Sequence, residues 1–233
     1  MKIASVILAA GQGTRMVSSL PKVLHPLNGK AMILYAIESA RAAGTQTPIL
    51  VVGSCAEEVR HIVGERASYA VQSEPLGTAH ALLSAESQVA AGADLVLVTY
   101  GDMPLLTNET LTRLIETQKS NPGPMTMLAV HASNPRGFGR VVRNAEGRVQ
   151  AVVEEAQATP DQLNINELNV GAYCFSSAWL WNALKQIQRS PKGEYYLTDI
   201  VALAANAGLP VAAITLQDEQ EALGINTRVH LAE

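Results

Sequence analysis

Short apolar runs alternate with amphipathic stretches along the first half of this chain. Ile3 to Ala9 is apolar almost throughout and stops at a glycine loop, the mark of a buried strand. Ala31 to Ala43 has a helical pattern, with Gly44 just past its end as a stop. Pro48 to Gly53 predicts a second strand, Ala56 to Val63 a second helix, and Tyr69 to Gln72 a short third strand. Gly77 to Ala91, rich in Ala and Leu, predicts a helix. Asp94 to Tyr100 is a strongly apolar strand followed at once by Gly101-Asp102-Met103-Pro104, and Thr107 to Lys119 is again helical. Small aliphatic runs with few charges suit parallel strands covered on both faces. Their alternation with helices implies a doubly wound sheet.

After Pro122 the texture changes. Met125 to His131, Gly139 to Arg143 and Val149 to Val153 are short strands, the last two separated by the turn Asn144-Ala145-Glu146-Gly147. Asn169 to Phe175 predicts another strand, Ala178 to Ile187 and Thr198 to Asn206 helices, and Val211 to Thr215 a last strand. There is no internal repeat and no low-complexity segment. The expected fold is therefore α/β and Rossmann-like: a doubly wound, mostly parallel mixed sheet flanked by helices, with a small second lobe. Residues 1–233 are expected to form a single domain, with halves 1–120 and 121–233.

Composition narrows the picture. A length of 233 residues favours one large domain or one domain with a lobe. Hydrophobic residues are 48% and aromatics only 4%, so the core must come from Ala, Val, Leu and Ile. The net charge of −4 argues against nucleic acid or an anionic membrane as partner. A phosphate ligand would have to be held by a few placed cations. The two cysteines, Cys55 and Cys174, lie far apart and read as reduced thiols, with one disulfide as the alternative. The apolar start is short and leads into glycines rather than a cleavage site. No stretch approaches the roughly 20 apolar residues of a membrane helix. A cytoplasmic protein is expected.

Three segments carry candidate chemistry. In Leu8-Ala9-Ala10-Gly11-Gln12-Gly13-Thr14-Arg15-Met16, the two glycines let the backbone turn sharply and gather N–H groups into an anion cradle. Arg15 adds a planar fork for phosphate oxygens, and Lys22 adds a mobile cation. The loop is neither a Walker A sequence nor a dinucleotide fingerprint, because no Gly-Lys-Ser/Thr closes it and position 16 is Met. An ordinary tight turn with two solvated cations is the competing reading.

In Gln72-Ser73-Glu74-Pro75-Leu76-Gly77-Thr78-Ala79-His80, the Gln side chain offers the donor and acceptor that a base edge requires. Gly77 and Thr78 expose backbone groups to complete the pairing. The competing reading makes Thr78 a helix N-cap and Gln72 a solvated strand end. His80 reads as a packing or supporting residue rather than a base. Asp102 stands at the C-terminal end of a central strand, the edge where open α/β sheets gather ligands. A carboxylate there suits Mg²⁺, which takes one or two carboxylates plus substrate phosphates. A turn acid is the alternative. Further on, Gly139, Glu154 and Asn169 form a candidate second pocket, in which Glu and Asn supply short, fixed polar groups; a hairpin glycine, a surface acid and a strand-end turn are the bland alternatives.

The glycine loop, taken with Leu20-Pro21-Lys22-Val23-Leu24-His25, resembles the opening of the sugar-nucleotide pyrophosphorylases. Within them it is most similar to the uridylyltransferase half of the bifunctional bacterial enzymes that make UDP-N-acetylglucosamine. The Gln72 loop resembles the family's Gln-x-x-x-x-Gly-Thr-x-His-Ala element. The resemblance implies UTP and N-acetylglucosamine 1-phosphate as substrates and Mg²⁺ as cofactor. Arg15 and Lys22 would then hold the triphosphate and carry the catalysis. Leu8, Ala9, Ala10, Gly11, Gly13, Thr14, Gln72, Gly77 and Thr78 would bind nucleotide. Tyr100, Gly139, Glu154 and Asn169 would bind the sugar, with Gly193 to Asp199 bordering that pocket, and Asn226 would join Asp102 on the metal.

The chain departs from the family pattern at Ser19, where Asp is common, at Glu155-Ala156-Gln157, where a Lys-containing stretch is usual, and at Val170, where Thr is common. The resemblance covers the whole chain without the β-helix acetyltransferase domain of the bifunctional enzymes, so uridylyl transfer without acetyl transfer, by a monomer, is expected. No Cys or Ser is placed as a nucleophile, and no covalent intermediate is expected. Two rivals stand beside this reading. One is cytidylyl or guanylyl transfer to another sugar or polyol phosphate, or to molybdopterin. The other is a catalytically silent nucleotide-binding module.

Overall fold

A computed structural model describes residues 1–89 and 92–233. In chain order the strands are β1 (Ile3–Leu8), β2 (Pro26–Leu27), β3 (Lys30–Ala31), β4 (Ile49–Val52), β5 (Ser68–Val71), β6 (Leu95–Tyr100), β7 (Met125–His131), β8 (Arg140–Arg143), β9 (Val149–Val153), β10 (Glu167–Ser176) and β11 (Val211–Thr215). The helices are α1 (Met32–Ala42), α2 (Ala56–Val63), α3 (Thr78–Leu83), α4 (Asn108–Ser120), α5 (Pro160–Leu163), α6 (Ser177–Leu184), α7 (Asp199–Asn206) and α8 (Arg228–Ala232).

Nine of these strands form one sheet with the path β11-β7-β10-β6-β1-β4-β5, and β8 and β9 extend from β10. β6, β1, β4 and β5 run parallel. β10 runs antiparallel to both β6 and β7, and β11 is parallel to β7. The expected doubly wound, mixed α/β sheet is what the structure has. From β1 the chain builds outward through β4 and β5, then returns to place β6 on the other side of β1. That reversal opens a crevice at the carboxyl ends of β1 and β6.

Alternating side chains explain the two covered faces. Ile7, Leu50 and Val52 pack with Ile33, Ile37, Val59 and Val63 under α1 and α2. Val6, Leu8, Val51, Val96 and Val98 point the other way, into a core with Leu82, Leu180, Leu197 and Ile200. Leu95, Leu97, Leu128 and Cys174 meet Leu111, Leu114 and Ile115 of α4. Cys174 is buried and both cysteines are free thiols.

The structure departs from the sequence reading in a few places. The helix expected over 77–91 is regular only to Leu83, and Ala90 and Ala91 lie outside the described residues. Ser84 bonds its own hydroxyl to the His80 carbonyl at 3.0 Å, an interaction that competes with continued helix. The following amides then bond three residues back, Ala85 to Leu82 and Glu86 to Leu83. The hairpin β2–β3 turns through Asn28 and Gly29, both with positive φ (48° and 80°), a turn signal the apolar pattern alone does not carry. The short α5, capped by Thr159 with Gln162, and α8 were likewise not foreseen.

Candidate active site

A cleft of about 750 Å³ opens at the carboxyl ends of β1 and β6, and every site residue named from the sequence lines it. After Leu8 the chain turns through Ala9-Ala10-Gly11-Gln12-Gly13 into a single helical turn, Thr14–Met16. Gly13 is left-handed (φ 63°), and a Cβ there would stand 2.5 Å from that of Lys22, so only glycine lets the loop lie this close. A Cβ on Gly11 would meet nothing within 4 Å, leaving open space beside the backbone. Lys22 begins its own helical turn, anchored by buried Val23 and Leu24.

Four functional side chains converge here. Lys22 Nζ donates to Asp102 Oδ2 at 2.5 Å and to Asn226 Oδ1 at 3.0 Å, and Arg15 Nη2 donates to the same Asn226 oxygen at 3.0 Å. Lys22 is therefore no solvated surface cation: its side chain keeps 14% exposure and that of Asp102 15%. Asp102 and Asn226 are 124 residues apart in sequence, and the chain makes this pairing deliberately secure. The Ile225 amide donates to the Asp102 carbonyl at 2.9 Å. Glu221 accepts from the Thr107 amide (2.9 Å) and from the hydroxyls of Thr107 (2.8 Å) and Thr110 (3.0 Å), pinning this segment to the start of α4. Arg228 reaches back to the carbonyls of Met16 and Val17 at 3.0 and 2.9 Å, tying α8 to the glycine loop. The carboxylate and amide oxygens lie within reach of one ammonium, so they face a common point. Two hard oxygens so placed suit Mg²⁺, with phosphate oxygens or water completing the shell.

Toward β5, Gln72 is buried rather than solvated. Its Nε2 donates to the Gly77 carbonyl at 3.0 Å and lies 3.1 Å from His80 Nδ1. Thr78 does not cap α3 through its side chain; its hydroxyl accepts from the Leu197 amide at 2.9 Å. Gly77, at φ 100°, lies so close to Tyr195 that a Cβ would come within 2.6 Å of its carbonyl oxygen. The segment thus stapled to the Gln72 loop leads directly to Thr198, whose hydroxyl donates to Glu154 Oε1 at 2.7 Å.

That bond belongs to the far end of the cleft. β10 carries an irregularity between Asn169 and Tyr173 where it pairs with β7, and left-handed Gly171 (φ 94°) sits within it. A Cβ on Gly171 would stand 2.8 Å from the Tyr100 ring, so the bare glycine gives that ring its place. Asn169 Nδ2 donates to Tyr173 Oη at 2.7 Å, and its amide donates to the Gly139 carbonyl at 2.8 Å. Burial raises the Tyr100 hydroxyl above its ordinary range, and the charges of Glu154 and then Asp102 add to the shift, which Thr78 partly offsets. Burial likewise holds Tyr173 well up. Both phenols therefore stay protonated as neutral donors. Burial, followed by the Glu154 charge, also raises Asp199. Glu155, where the sequence departs from the family pattern, pairs with buried Arg140 at 3.0 Å instead of facing the cleft.

Thr198 and Tyr173 are supporting residues that sequence reasoning did not assign, while His80, read as a packing or supporting residue, lies against Gln72. Thr198 lay within a segment flagged only as bordering the sugar pocket. Nothing in spacing marks Tyr173, because its partner lies across a bulge.

A model of the nucleotidyl transferase family matches residues 4–220. The chain belongs to the nucleotidyl transferase family. Among curated members it is 46% identical over 233 residues to the "Bifunctional protein GlmU" of Heliobacterium modesticaldum, covering 100% of this chain and 51% of that protein. The protein of the same name from Geobacter metallireducens is 43% identical over 234 residues, covering 99% and 49% respectively. That from Pelotomaculum thermopropionicum is 46% identical over 234 residues, covering 100% and 51%. The chain thus spans about half the length of these relatives. As a nucleotidyl transferase it has the fold and the family that its glycine loop implied. No described helix is long and apolar enough to cross a membrane.

Proposed function

We propose that this chain transfers the uridylyl group of UTP to N-acetylglucosamine 1-phosphate, yielding UDP-N-acetylglucosamine and pyrophosphate. The observation that supports this most is the convergence of Arg15, Lys22, Asp102 and Asn226 in one cleft that the Gln72 loop and the Glu154–Asn169 pocket also line. The relatives carry the word bifunctional in their name, and this chain would carry one of the two activities.

In the proposed reaction a phosphate oxygen of the sugar phosphate attacks the α-phosphorus of UTP. The new P–O bond forms as the bond to the β-phosphate oxygen breaks, and pyrophosphate leaves. The attacking oxygen is already ionised, so the chain needs no strong base. Its task is to align two anions and offset their charge. Arg15 and Lys22 counter the β- and γ-phosphate charge, Lys22 also reaching the α-phosphate, and the backbone from Leu8 through Thr14 cradles the nucleotide. Gln72, Gly77 and Thr78 take the uracil, while Tyr100, Gly139, Glu154 and Asn169 take the amino sugar. Asp102 and Asn226 would hold Mg²⁺, which supplies charge neutralisation at the phosphates. All these residues come from one chain, so the reaction as read needs no second copy, with most nucleotide contacts in residues 1–120 and most sugar contacts in 121–233.

Mass spectrometry of a mixture of the protein, UTP, N-acetylglucosamine 1-phosphate and Mg²⁺ tests the proposal. UDP-N-acetylglucosamine should accumulate in step with pyrophosphate, and a chelator should stop both. Intact UTP, or UTP hydrolysed to UMP with no UDP-sugar, would overturn it.

A further inference from the structure

Gln72 has one feature that base recognition by itself does not explain: its amide nitrogen is fully engaged within the protein. The Gly77 carbonyl can only accept, so the amide atom 3.0 Å from it is the nitrogen. The same nitrogen lies 3.1 Å from His80 Nδ1. With one proton given to Gly77, the second points to His80. Nδ1 must then accept, and the ring keeps its own proton on Nε2. No hydrogen bond among the described residues engages Gln72 Oε1. The residue, buried at the wall of the cleft, has only an acceptor left to offer a ligand.

The consequence for the ligand is one of polarity. Uracil presents an N–H at position 3 of its pairing edge, and cytosine presents a lone pair at the same place. A Gln with both amide protons consumed accepts from the first and meets the second lone pair to lone pair. Removing His80 frees the second amide proton, and the side chain, then held by Gly77 alone, can turn to offer that proton to cytosine beside Oε1. We propose that His80 is a specificity-determining positioning residue: by taking the second amide proton of Gln72, it makes that side chain a pure acceptor and selects UTP over CTP. This rests on the uridylyl-transfer reading and on Gln72 as the base reader. His80 itself is not among the residues lining the cleft. It acts through Gln72.

The test compares kcat/KM for UTP and CTP in the wild type and in His80→Leu, His80→Gln and His80→Asn. In His80→Leu the UTP-to-CTP ratio should fall about five- to tenfold, the worth of roughly one hydrogen bond. His80→Gln, whose amide extends past the Nδ1 position, should show the same fall and serves if the Leu variant does not fold. His80→Asn, which returns an acceptor close to the Nδ1 position, should restore the wild-type ratio. A residue that merely packs would lower both rates together, so an unchanged ratio in the Leu or Gln variant overturns the proposal. A ratio lowered equally in His80→Asn also counts against it, because the acceptor would then be irrelevant. A wild type that uses CTP as well as UTP would instead sink the uridylyl reading, which keeps the two failures distinguishable.

Discussion

The two ends of the cleft are built on different physics. At the phosphate end, Lys22, Arg15, Asp102 and Asn226 form a small set of charged and polar groups whose hydrogen bonds run to one another. At the sugar end, Glu154 is bonded by Thr198, buried Asn169 bonds buried Tyr173, and the half-buried Tyr100 ring lies against Gly171. Charged groups bonded to one another can exchange those partners for the oxygens of a triphosphate, whereas a network of fixed partners can only admit or reject a shape. The first arrangement suits charge neutralisation during phosphoryl transfer, and the second suits discrimination. Variants at the two ends should therefore fail in different ways.

The largest effect belongs to Lys22. Lys22→Ala should lower kcat by roughly a thousandfold for every sugar tried, because it removes a cation needed in the transition state. Steady-state rates near wild type would contradict its role. Asp102→Asn should cost on the order of a hundredfold and raise the Mg²⁺ concentration needed for half-maximal rate; a titration of rate against Mg²⁺ measures this. At the other end, Glu154→Gln should lower kcat/KM for the sugar phosphate about tenfold, while the Kd for UTP measured by calorimetry stays unchanged. If the UTP Kd moved as much as the sugar term, the division between the two ends would fail.

Tyr173→Phe removes the partner of Asn169 Nδ2 and should cost about 1 kcal/mol of stability by denaturant unfolding. The smallest effect concerns Asp199, whose carboxyl is raised by burial and then by Glu154. A raised acid in the folded state is destabilising once ionised: full stability holds below the ordinary carboxylate range and is lost as pH rises through the folded value. Asp199→Asn should therefore raise Tm slightly at neutral pH, with the gain vanishing in acid. A gain that persisted at low pH would show that the cause is not the charge.

The same contrast explains what could be read without a structure. The phosphate end is legible because its chemistry is contiguous: a strand, two glycines, Arg15 and Lys22 within 20 residues of one another. Alternating apolar strands and helices also specified the central β1, β4, β5 and β6 and the helices packed on them. The sugar end is drawn from four separated places, at Gly139, Glu154, Asn169 and Thr198, and becomes a pocket only when β10 inserts antiparallel beside β6. Local spacing carries no trace of that insertion. Nor could it show that Glu221 and Arg228 hold the Asn226 segment in place, since those bonds cross 111 to 212 residues. The early stop of α3 was missed for a smaller reason, the competition of Ser84 with its own helix.

The central claim is that the cleft joins one particular pair of substrates. It is tested most directly by measuring pyrophosphate release with Mg²⁺ across four nucleoside triphosphates and a panel of sugar 1-phosphates. The account predicts release with UTP and N-acetylglucosamine 1-phosphate well above every other pair. Release with UTP and a different sugar would contradict the assignment of Glu154 and Asn169, and release with no pair would contradict the account as a whole.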